Sequence, residues 1–291
     1  MILLTGATGT VGSALLRRLT AKATPVRCLV RDPRRLGEQR VRVQIALGDL
    51  ANPASFRNAL RGVDTVIHLG ASTRNQPGGS IEELNAMATL RLVRAAERSG
   101  ARRFVFFSAM EAGHHARTRF FRAKALAREA VDGSSLETLV FAPSIVYSPG
   151  DPWLTLLSRV SWLPAVPMSG SGDSLYQPIW AEDVADCVVS ALDRADAGSS
   201  FELAGPETLS YDAIVRTVLS SLGRRRPLVH LPLPLVRASL RTLERLIGPA
   251  VFATWEEAEL MEEAMTTPRG TADAESLGVN PLTMGAVLGA S

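Results

Sequence analysis

Apolar residues gather along this chain in short runs at 2–4, 26–30, 41–47, 65–69, 104–107 and 139–141, and between the runs they recur every three to four positions. Runs this short read as buried strands, and the intervening period reads as amphipathic helix. The alternation predicts repeated βαβ units, hence an α/β fold with a doubly wound parallel sheet and helices on both faces. One helix carries Leu84, Ala88, Leu92 and Ala95 on one face, with Gly100 standing where a C-cap is wanted. Another is expected from about 117 to 131, ending at Asp132-Gly133.

The first strand runs directly into Thr5-Gly6-Ala7-Thr8-Gly9-Thr10-Val11-Gly12, and a helix with Leu15, Leu16 and Leu19 on one face follows. Strand, glycine-rich turn and helix in that order suit a dinucleotide's phosphates. Gly6 permits the tight turn, Gly9 lets the backbone approach the pyrophosphate, and Gly12 lets the helix pack on the strand. The free N–H groups and positive dipole end of the helix face the same point. The sheet is therefore expected to be of the Rossmann type.

After Pro143 the texture changes, with Ser148-Pro149-Gly150-Asp151-Pro152 and then Pro164, Pro167, Gly170 and Gly172 breaking regularity. The segment Gln177-Pro178-Ile179 and a helix over 181–192 read as a return to the first domain. The expected division is a cofactor domain at 1–148 with 177–195, and a smaller, discontinuous substrate lobe at 149–176 with 196–291. In that lobe Leu235, Val236, Leu240, Leu243 and Ile247 form a stripe beside Arg237, Arg241 and Arg245, which reads as a helix over the substrate pocket or one lying on a membrane surface at 235–247. The acidic run Glu256, Glu257, Glu259, Glu262, Glu263 reads as a solvated helix face and not a metal site.

Hydrophobic residues make up 46% of the 291, enough for a sizeable core. The formal net charge is only +3, yet the pI is about 9.2, because the basic residues are almost all arginines that never titrate. No basic stripe is interleaved with aromatics, so nucleic acid is not an expected partner. Cys28 and Cys187 lack metal-type spacing and read as core residues of a reducing compartment. With the first strand beginning at Ile2 and no run of about 18 apolar residues, neither a signal peptide nor a transmembrane span is expected, and the cytoplasm is the expected location. Oligomeric state is not legible.

Several further segments fall in one order: Val30-Arg31-Asp32-Pro33, Gly48-Asp49-Leu50, Val66-Ile67-His68-Leu69, Asn85, Phe107-Ser108, Ala142-Pro143-Ser144-Ile145-Val146-Tyr147, Gln177-Pro178 with Asp183-Val184-Ala185, and Gly205-Pro206-Glu207. With the glycine loop they resemble the extended and atypical short-chain dehydrogenase/reductases, a superfamily that includes NAD-dependent epimerase/dehydratase-like proteins. Within it the resemblance is to the branch of the complex I nucleotide-binding accessory subunit and the NmrA-like redox sensors. The resemblance implies that Thr8, Thr10 and Val11 of the loop, Asp49 and Leu50 near the adenine, Leu69, Gly70 and Ala71 after the fourth strand, and Pro143 and Ile145 all contact the cofactor.

At the end of the second strand an acidic residue would accept hydrogen bonds from the ribose, whereas an arginine attracts a 2′-phosphate. Arg31 stands there, with Asp32, Arg34 and Arg35 following, which favours NADP(H) with NAD(H) as the alternative. A surface pair between Arg31 and Asp32 is the competing reading. Family enzymes place a tyrosine four residues before a lysine; here Phe120 precedes Lys124. A phenyl ring cannot move a proton. Only Lys22 and Lys124 are lysines in this chain, which points to a need for a compact ammonium at 124, and the resemblance gives it a ribose-binding role. Ser108 matches the substrate-polarising serine of the family or caps the next helix. His114 and His115, near Glu111, and Tyr147 are the candidate substitute acids; His68 and His230 read as structural.

Three functions are weighed on these residues. The first is an NADP(H)-dependent reductase that passes hydride to an electron-poor small molecule without the phenol. The second is a structural or redox-sensing NADP(H)-binding protein without turnover, and the third a nucleotide-sugar epimerase/dehydratase, ranked last because losing the general acid costs about 10²–10⁴-fold in rate.

Overall fold

The computed structural model describes residues 1–194, 198–247 and 254–289. The apolar runs become β1 (Ile2–Thr5), β2 (Val26–Val30), β3 (Gln44–Leu47), β4 (Thr65–His68), β5 (Arg103–Phe107) and β6 (Glu137–Pro143). The third run is shorter than expected: Val41 ends a 3₁₀ segment that begins at Pro33, and its side chain is exposed. Between the strands lie α1 (Thr10–Ala21), α2 (Pro53–Phe56), α3 (Ala88–Ser99) and α4 (Arg119–Asp132). Gly100 closes α3 in the left-handed conformation the sequence asked of it, and Thr118 caps α4 by accepting from the Phe121 amide.

Beyond β6 the elements shorten: β7 (Val146–Tyr147), α5 (Pro152–Val160), β8 (Val166–Ser169), β9 (Leu175–Tyr176), β10 (Ile179–Trp180), α6 (Ala181–Asp193), β11 (Ser199–Leu203), β12 (Leu209–Ser210), α7 (Tyr211–Ser221), β13 (Leu228–Leu231), α8 (Leu233–Ile247), α9 (Trp255–Leu260), α10 (Ala272–Ser276) and α11 (Met284–Leu288). The strands β7 and β10, β9 and β12, and β8 and β13 form three separate pairs.

The main sheet runs β3-β2-β1-β4-β5-β6-β11, with every neighbour parallel. Leu3, Val66, Phe104 and Val140 face one side, against Leu92 and Ala96 of α3 and Ala127 and Val131 of α4. Leu4, Ile67, Val105 and Phe141 face the other, against Leu15 and Leu19 of α1 and Val184 and Val188 of α6. Helices cover both faces, so these strands read as continuous apolar runs and not as alternating ones. The order reverses between β1 and β4, which opens a crevice at their carboxyl ends.

The expected domain division needs correcting at β11. The boundary at 195/196 lies outside the described residues, but Ser199–Leu203, assigned to the smaller lobe, pairs with β6 as the edge strand of the main sheet. Ala274 and Leu277, also assigned to the lobe, pack into the α1/α6 face of that sheet. A second core gathers Leu154 and Leu157 of α5, Val166 and Met168 of β8, Ile214 and Val218 of α7 and Met284 of α11. The helix α8 spans the expected stripe and packs mainly on α9, with Arg237 and Arg241 at 4.3 and 4.8 Å from the Trp255 ring. None of its residues lines the cofactor cavity described next. Of the stripe, the side chain of Ile247 lies outside the described residues. Cys28 and Cys187 are buried and unpaired by disulfide, and burial pushes both thiols up to about 12.

Candidate cofactor site and active site

The glycine loop leaves β1 at the crevice. Gly6 takes φ +71°, and a Cβ there would lie 2.7 Å from the Leu69 carbonyl carbon and 2.8 Å from the Gly70 nitrogen. A Cβ on Gly12 would lie 2.1 Å from the Gly6 oxygen, so helix and turn touch through backbone alone. Gly9 differs: its absent Cβ would meet only the Gly6 oxygen, at 3.3 Å, and it stands at the head of α1 with no side-chain cap. The first turn of α1 carries no acidic residue. Uncapped N–H groups and the positive end of the helix dipole thus face open space, the arrangement that receives a phosphate.

That space is a cavity of about 520 Å³ lined by Gly6, Ala7, Thr8 and Gly9 at one end and by Arg31, Asp32 and Arg35 near the end of β2. Asp49, Leu50, Leu69, Gly70 and Ala71 form its floor, so every residue expected around the adenine and the end of β4 is brought together. Thr10, Val11 and Gly12 lie in α1 behind the wall. Leu29, Val30, Gly48, Ser72, Gln76 and Leu84 also line it and were missed in the sequence. The one signal for Gln76 is a partner: its Oε1 accepts from Arg31 Nη1 at 2.9 Å.

Arg31 and Asp32 do not pair, which corrects the competing reading at this strand end. Asp32 caps the 3₁₀ segment by accepting from the Arg34 amide at 3.0 Å and pairs with the Arg34 guanidinium at 3.0 Å. Those bonds hold its carboxyl below the usual carboxylate range. Asp32 thus shares its carboxylate with Arg34, and it lines the cavity together with Arg31 and Arg35.

At the end of β5 a second cluster assembles. Lys124 is buried on α4, and its Nζ donates to the Phe107 carbonyl at 2.6 Å and sits 5.0 and 5.8 Å from the ring centroids of Phe106 and Phe120. Burial lowers its pKa from 10.5 to about 7, and among the described residues no carboxylate pairs with it. Lys22, the other lysine, is exposed and pairs with Asp193. Ser108, next to Phe107, donates its amide to the Phe141 carbonyl at 2.8 Å. It does not cap the following helix, since Thr118 does so; that half of the expectation is corrected. Phe120 packs on Ile81, Ala86 and Ala123 and, on another side, on Ala109, Phe121 and Leu260.

The expected substitute acids lie elsewhere or are locked. His114 and His115 are exposed, and His114 pairs with Glu129 at 2.8 Å. Tyr147 is fully buried, its hydroxyl has no hydrogen-bond partner among the described residues, and burial raises the phenol above its ordinary value. His68 is structural, 2.7 Å from Thr5 Oγ1 and 3.0 Å from Thr89 Oγ1, and burial with the nearby Lys124 pushes it down to about 3. His230 bonds Asp212 at 2.9 Å. Pro143 ends β6 and Ile145 follows it, both outside the lining of the 520 Å³ cavity.

A C-terminal strap, unforeseen in the sequence, closes the cluster. Ser144 Oγ donates to the Met265 carbonyl at 2.6 Å, Tyr176 hydroxyl to the Met261 carbonyl at 2.7 Å, and the Thr267 amide to Gln177 Oε1 at 2.7 Å. The acidic run is not a solvated face, a further correction. Glu257 forms a capping box with Thr254, accepts from Thr73 Oγ1 at 3.0 Å and pairs with Arg74 at 3.1 Å, and Glu256 lies 3.9 Å from Arg119. Its acids meet Arg74 in the loop after β4 and Arg119 at the head of α4. Among the described residues no cluster of three or more His, Cys, Asp or Glu has a geometry that could hold a metal, and no helix is long and apolar enough to cross a membrane.

The sequence model of a family described as NAD(P)H-binding matches residues 6–195, about two thirds of the chain and all of the cradle just described. The chain belongs to this NAD(P)H-binding family. Its relatives place it among the atypical short-chain dehydrogenase/reductases. It is 26% identical to the mitochondrial NADH dehydrogenase (ubiquinone) 1 alpha subcomplex subunit 9 of Arabidopsis thaliana, over 85% of this chain and 64% of that protein, so it spans less than two thirds of that relative's length. It is 29% identical to the (4-alkanoyl-5-oxo-2,5-dihydrofuran-3-yl)methyl phosphate reductase of Streptomyces griseus, over 89% of this chain and 86% of that enzyme. Its fold is that of a nucleoside-diphosphate-sugar epimerase from Staphylococcus aureus, with a TM-score of 0.79 at 20% identity, covering 99% of each chain.

The buried lysine of this NAD(P)H-binding protein gives a test by proton counting. A folded-state pKa near 7, below the ordinary 10.5, leaves Lys124 mostly neutral at about pH 8.5, while the unfolded chain keeps the proton. Its contribution to stability therefore rises with pH between about 7 and 10.5. If an anionic dinucleotide lies beside it, the ammonium is restored and binding at about pH 8.5 takes up a proton. Calorimetric titration in two buffers of different ionisation enthalpy will show that uptake in the parent and none in Lys124→Met. Equal uptake in both removes Lys124 from the cofactor's surroundings.

Proposed function

We propose that this protein is an NADP(H)-dependent reductase that passes hydride to an electron-poor carbon of a small molecule without a tyrosine. The observation that carries this reading is Phe120 beside Lys124: the cradle for the cofactor is complete, whereas the group that would protonate a carbonyl oxygen is a hydrocarbon ring. The nicotinamide supplies the hydride. The chain's own residues bind and orient. The amides at the head of α1 hold the pyrophosphate, Arg31 and Arg35 meet the 2′-phosphate, and Lys124 donates to the nicotinamide ribose. Ser108 offers a hydroxyl to the acceptor. Phe120, Leu260, Met261 and Met265 exclude water and present an apolar wall.

An acceptor carbon already polarised by its own substituents needs no acid in the hydride step, and water can protonate the product afterwards. The Streptomyces relative supports this class, since the name of its substrate describes a ring alkene flanked by two acyl groups. An epimerase or dehydratase reading is weaker, because that chemistry must move a hydroxyl proton at the position Phe120 occupies. The test is NADPH consumption by the parent protein over conjugated carbonyls, quinones and cationic dyes. Turnover with at least one class is expected. Silence across the panel, with NADPH still raising the melting temperature, returns the protein to the cofactor-binding reading without turnover.

The cofactor preference has its own measurement. Arg31→Ala should weaken NADPH roughly tenfold, the loss of one charge-assisted phosphate contact, and leave NADH unchanged. Parallel titrations at fixed salt decide it; equal affinity of the parent for both cofactors sinks the NADP(H) assignment.

A further inference from the structure

Two loops meet at one end of the smaller core. Residues 161–165 lead from α5 into β8, and 222–227 lead from α7 into β13. The two strands run parallel with Val166 opposite Leu228, and the Val166 amide donates to the Pro227 carbonyl at 2.9 Å, so both loops project from the same end. Their tip exposes apolar side chains that a water-facing turn has no reason to carry: Trp162 at 74%, Leu163 at 47% and Leu222 at 39%. The tip is also held in shape. Arg224 stacks on Trp162 with its guanidinium carbon 3.6 Å from the ring centroid and donates to the Ser158 carbonyl at 3.3 Å, and Arg226 Nε donates to the Ser161 carbonyl at 3.2 Å.

The charge around this tip has one sign. Residues 152–172 and 213–232 contain five arginines (159, 216, 224, 225, 226) and no Asp or Glu, where the chain's average of about one acidic residue in ten would place about four. The acids that flank these stretches are Asp151, which caps α5, Asp173, which is exposed, and Asp212, which bonds His230 and lies 3.9 Å from Arg216. An exposed indole and leucine ringed by arginines is the composition that settles at a lipid headgroup boundary. The indole sits among the headgroups, the leucine reaches the acyl edge, and the guanidiniums meet phosphates.

We infer that this tip docks the protein on an anionic lipid bilayer. Other occupants fit less well. Arg224 closes one face of Trp162 to a nucleic-acid base, and the leucines offer nothing to stack on. A second copy seated on the same tip would set Arg225 and its neighbours against their like. The helix α8, the stretch the sequence pointed to for a membrane, stacks Arg237 and Arg241 on the Trp255 ring, so two of its three arginines already have an aromatic partner within the protein.

The experiment is sedimentation of the full chain with vesicles of phosphatidylcholine alone and of phosphatidylcholine mixed with phosphatidylglycerol. Binding is expected only to the mixed vesicles and should fall as salt is raised. Arg225→Glu should weaken it more than about fivefold, since removing one arginine near the surface alone costs about that factor. Trp162→Glu should abolish it. Both side chains are exposed, so NADPH affinity and melting temperature should match the parent and exclude a folding defect. Tryptophan emission should shift to the blue on adding mixed vesicles in the parent and not in Trp162→Phe. Failure of the parent to sediment, parental binding by both charged variants, a polynucleotide that binds this tip more tightly than vesicles, or a dimer that Trp162→Glu separates would each overturn the inference.

Discussion

Gly12→Ala is expected to cost the fold about 3 kcal/mol or more and to lower the melting temperature by roughly 10 °C, because the added carbon has nowhere to go. All three of its near neighbours are backbone: the Gly6 oxygen at 2.1 Å, the Gly6 carbonyl carbon at 2.8 Å and Ala7 Cα at 2.9 Å. Moving α1 away to relieve them would also retract the N–H groups that face the cavity, so NADPH affinity should fall by about a hundredfold in whatever protein still folds. Gly9→Ala separates the two effects. Its carbon meets one oxygen at 3.3 Å, so the melting temperature should hold while affinity drops, since that carbon faces the ligand. Thermal denaturation with and without NADPH reads both variants. Parental stability and affinity in Gly12→Ala would show that the loop does not pack as described.

Phe120→Tyr is expected to add ketone reduction that the parent lacks, with a gain of about a hundredfold, the lower range of what general acid catalysis contributes. Lys124 is already in place to favour the phenolate, 5.8 Å from the ring centroid that would carry the hydroxyl. Reduction of electron-poor acceptors should change little, because that step draws no proton from position 120. Rates of NADPH oxidation by both proteins, over ketones and over conjugated acceptors, decide between these roles. If the variant also fails with every ketone, the apolar wall of Leu260, Met261 and Met265 leaves no room for them, and the tyrosine was not the missing part.

The parts of this fold that were legible are those where local pattern and tertiary position agree. Residues 2–4 and 104–107 are buried on both faces, and only a covered parallel strand uses runs of that kind. Ser199–Leu203 escaped notice for the opposite reason. As an edge strand it holds two serines and a glutamate, with only Phe201 and Leu203 apolar. The glycine loop, Asp49 and Leu69 could be placed because each sits next to a strand end, where sequence position and distance to the cofactor coincide. Ser72 and Gln76 could not, since they reach the cavity through a loop whose path depends on Glu257, more than 180 residues later. The acidic run misled for a related reason: a row of glutamates looks solvated until the arginines it meets, from the loop after β4 and the head of α4, are folded against it.

The strap that finishes the site comes late in the chain, after every strand of the main sheet. By the time α4 and β6 leave the ribosome, the glycine turn, Asp49 and Leu69 already stand at the ends of their strands, but Glu257, which holds the loop of Ser72 and Gln76, and the carbonyls of Met261 and Met265 that Tyr176 and Ser144 grip do not yet exist. During synthesis the nucleotide can therefore engage a half-built protein and draw it toward the native state, while the acceptor cannot. If the protein is the reductase proposed above, order of assembly as much as shape keeps hydride from being spent before the pocket that should receive it is closed.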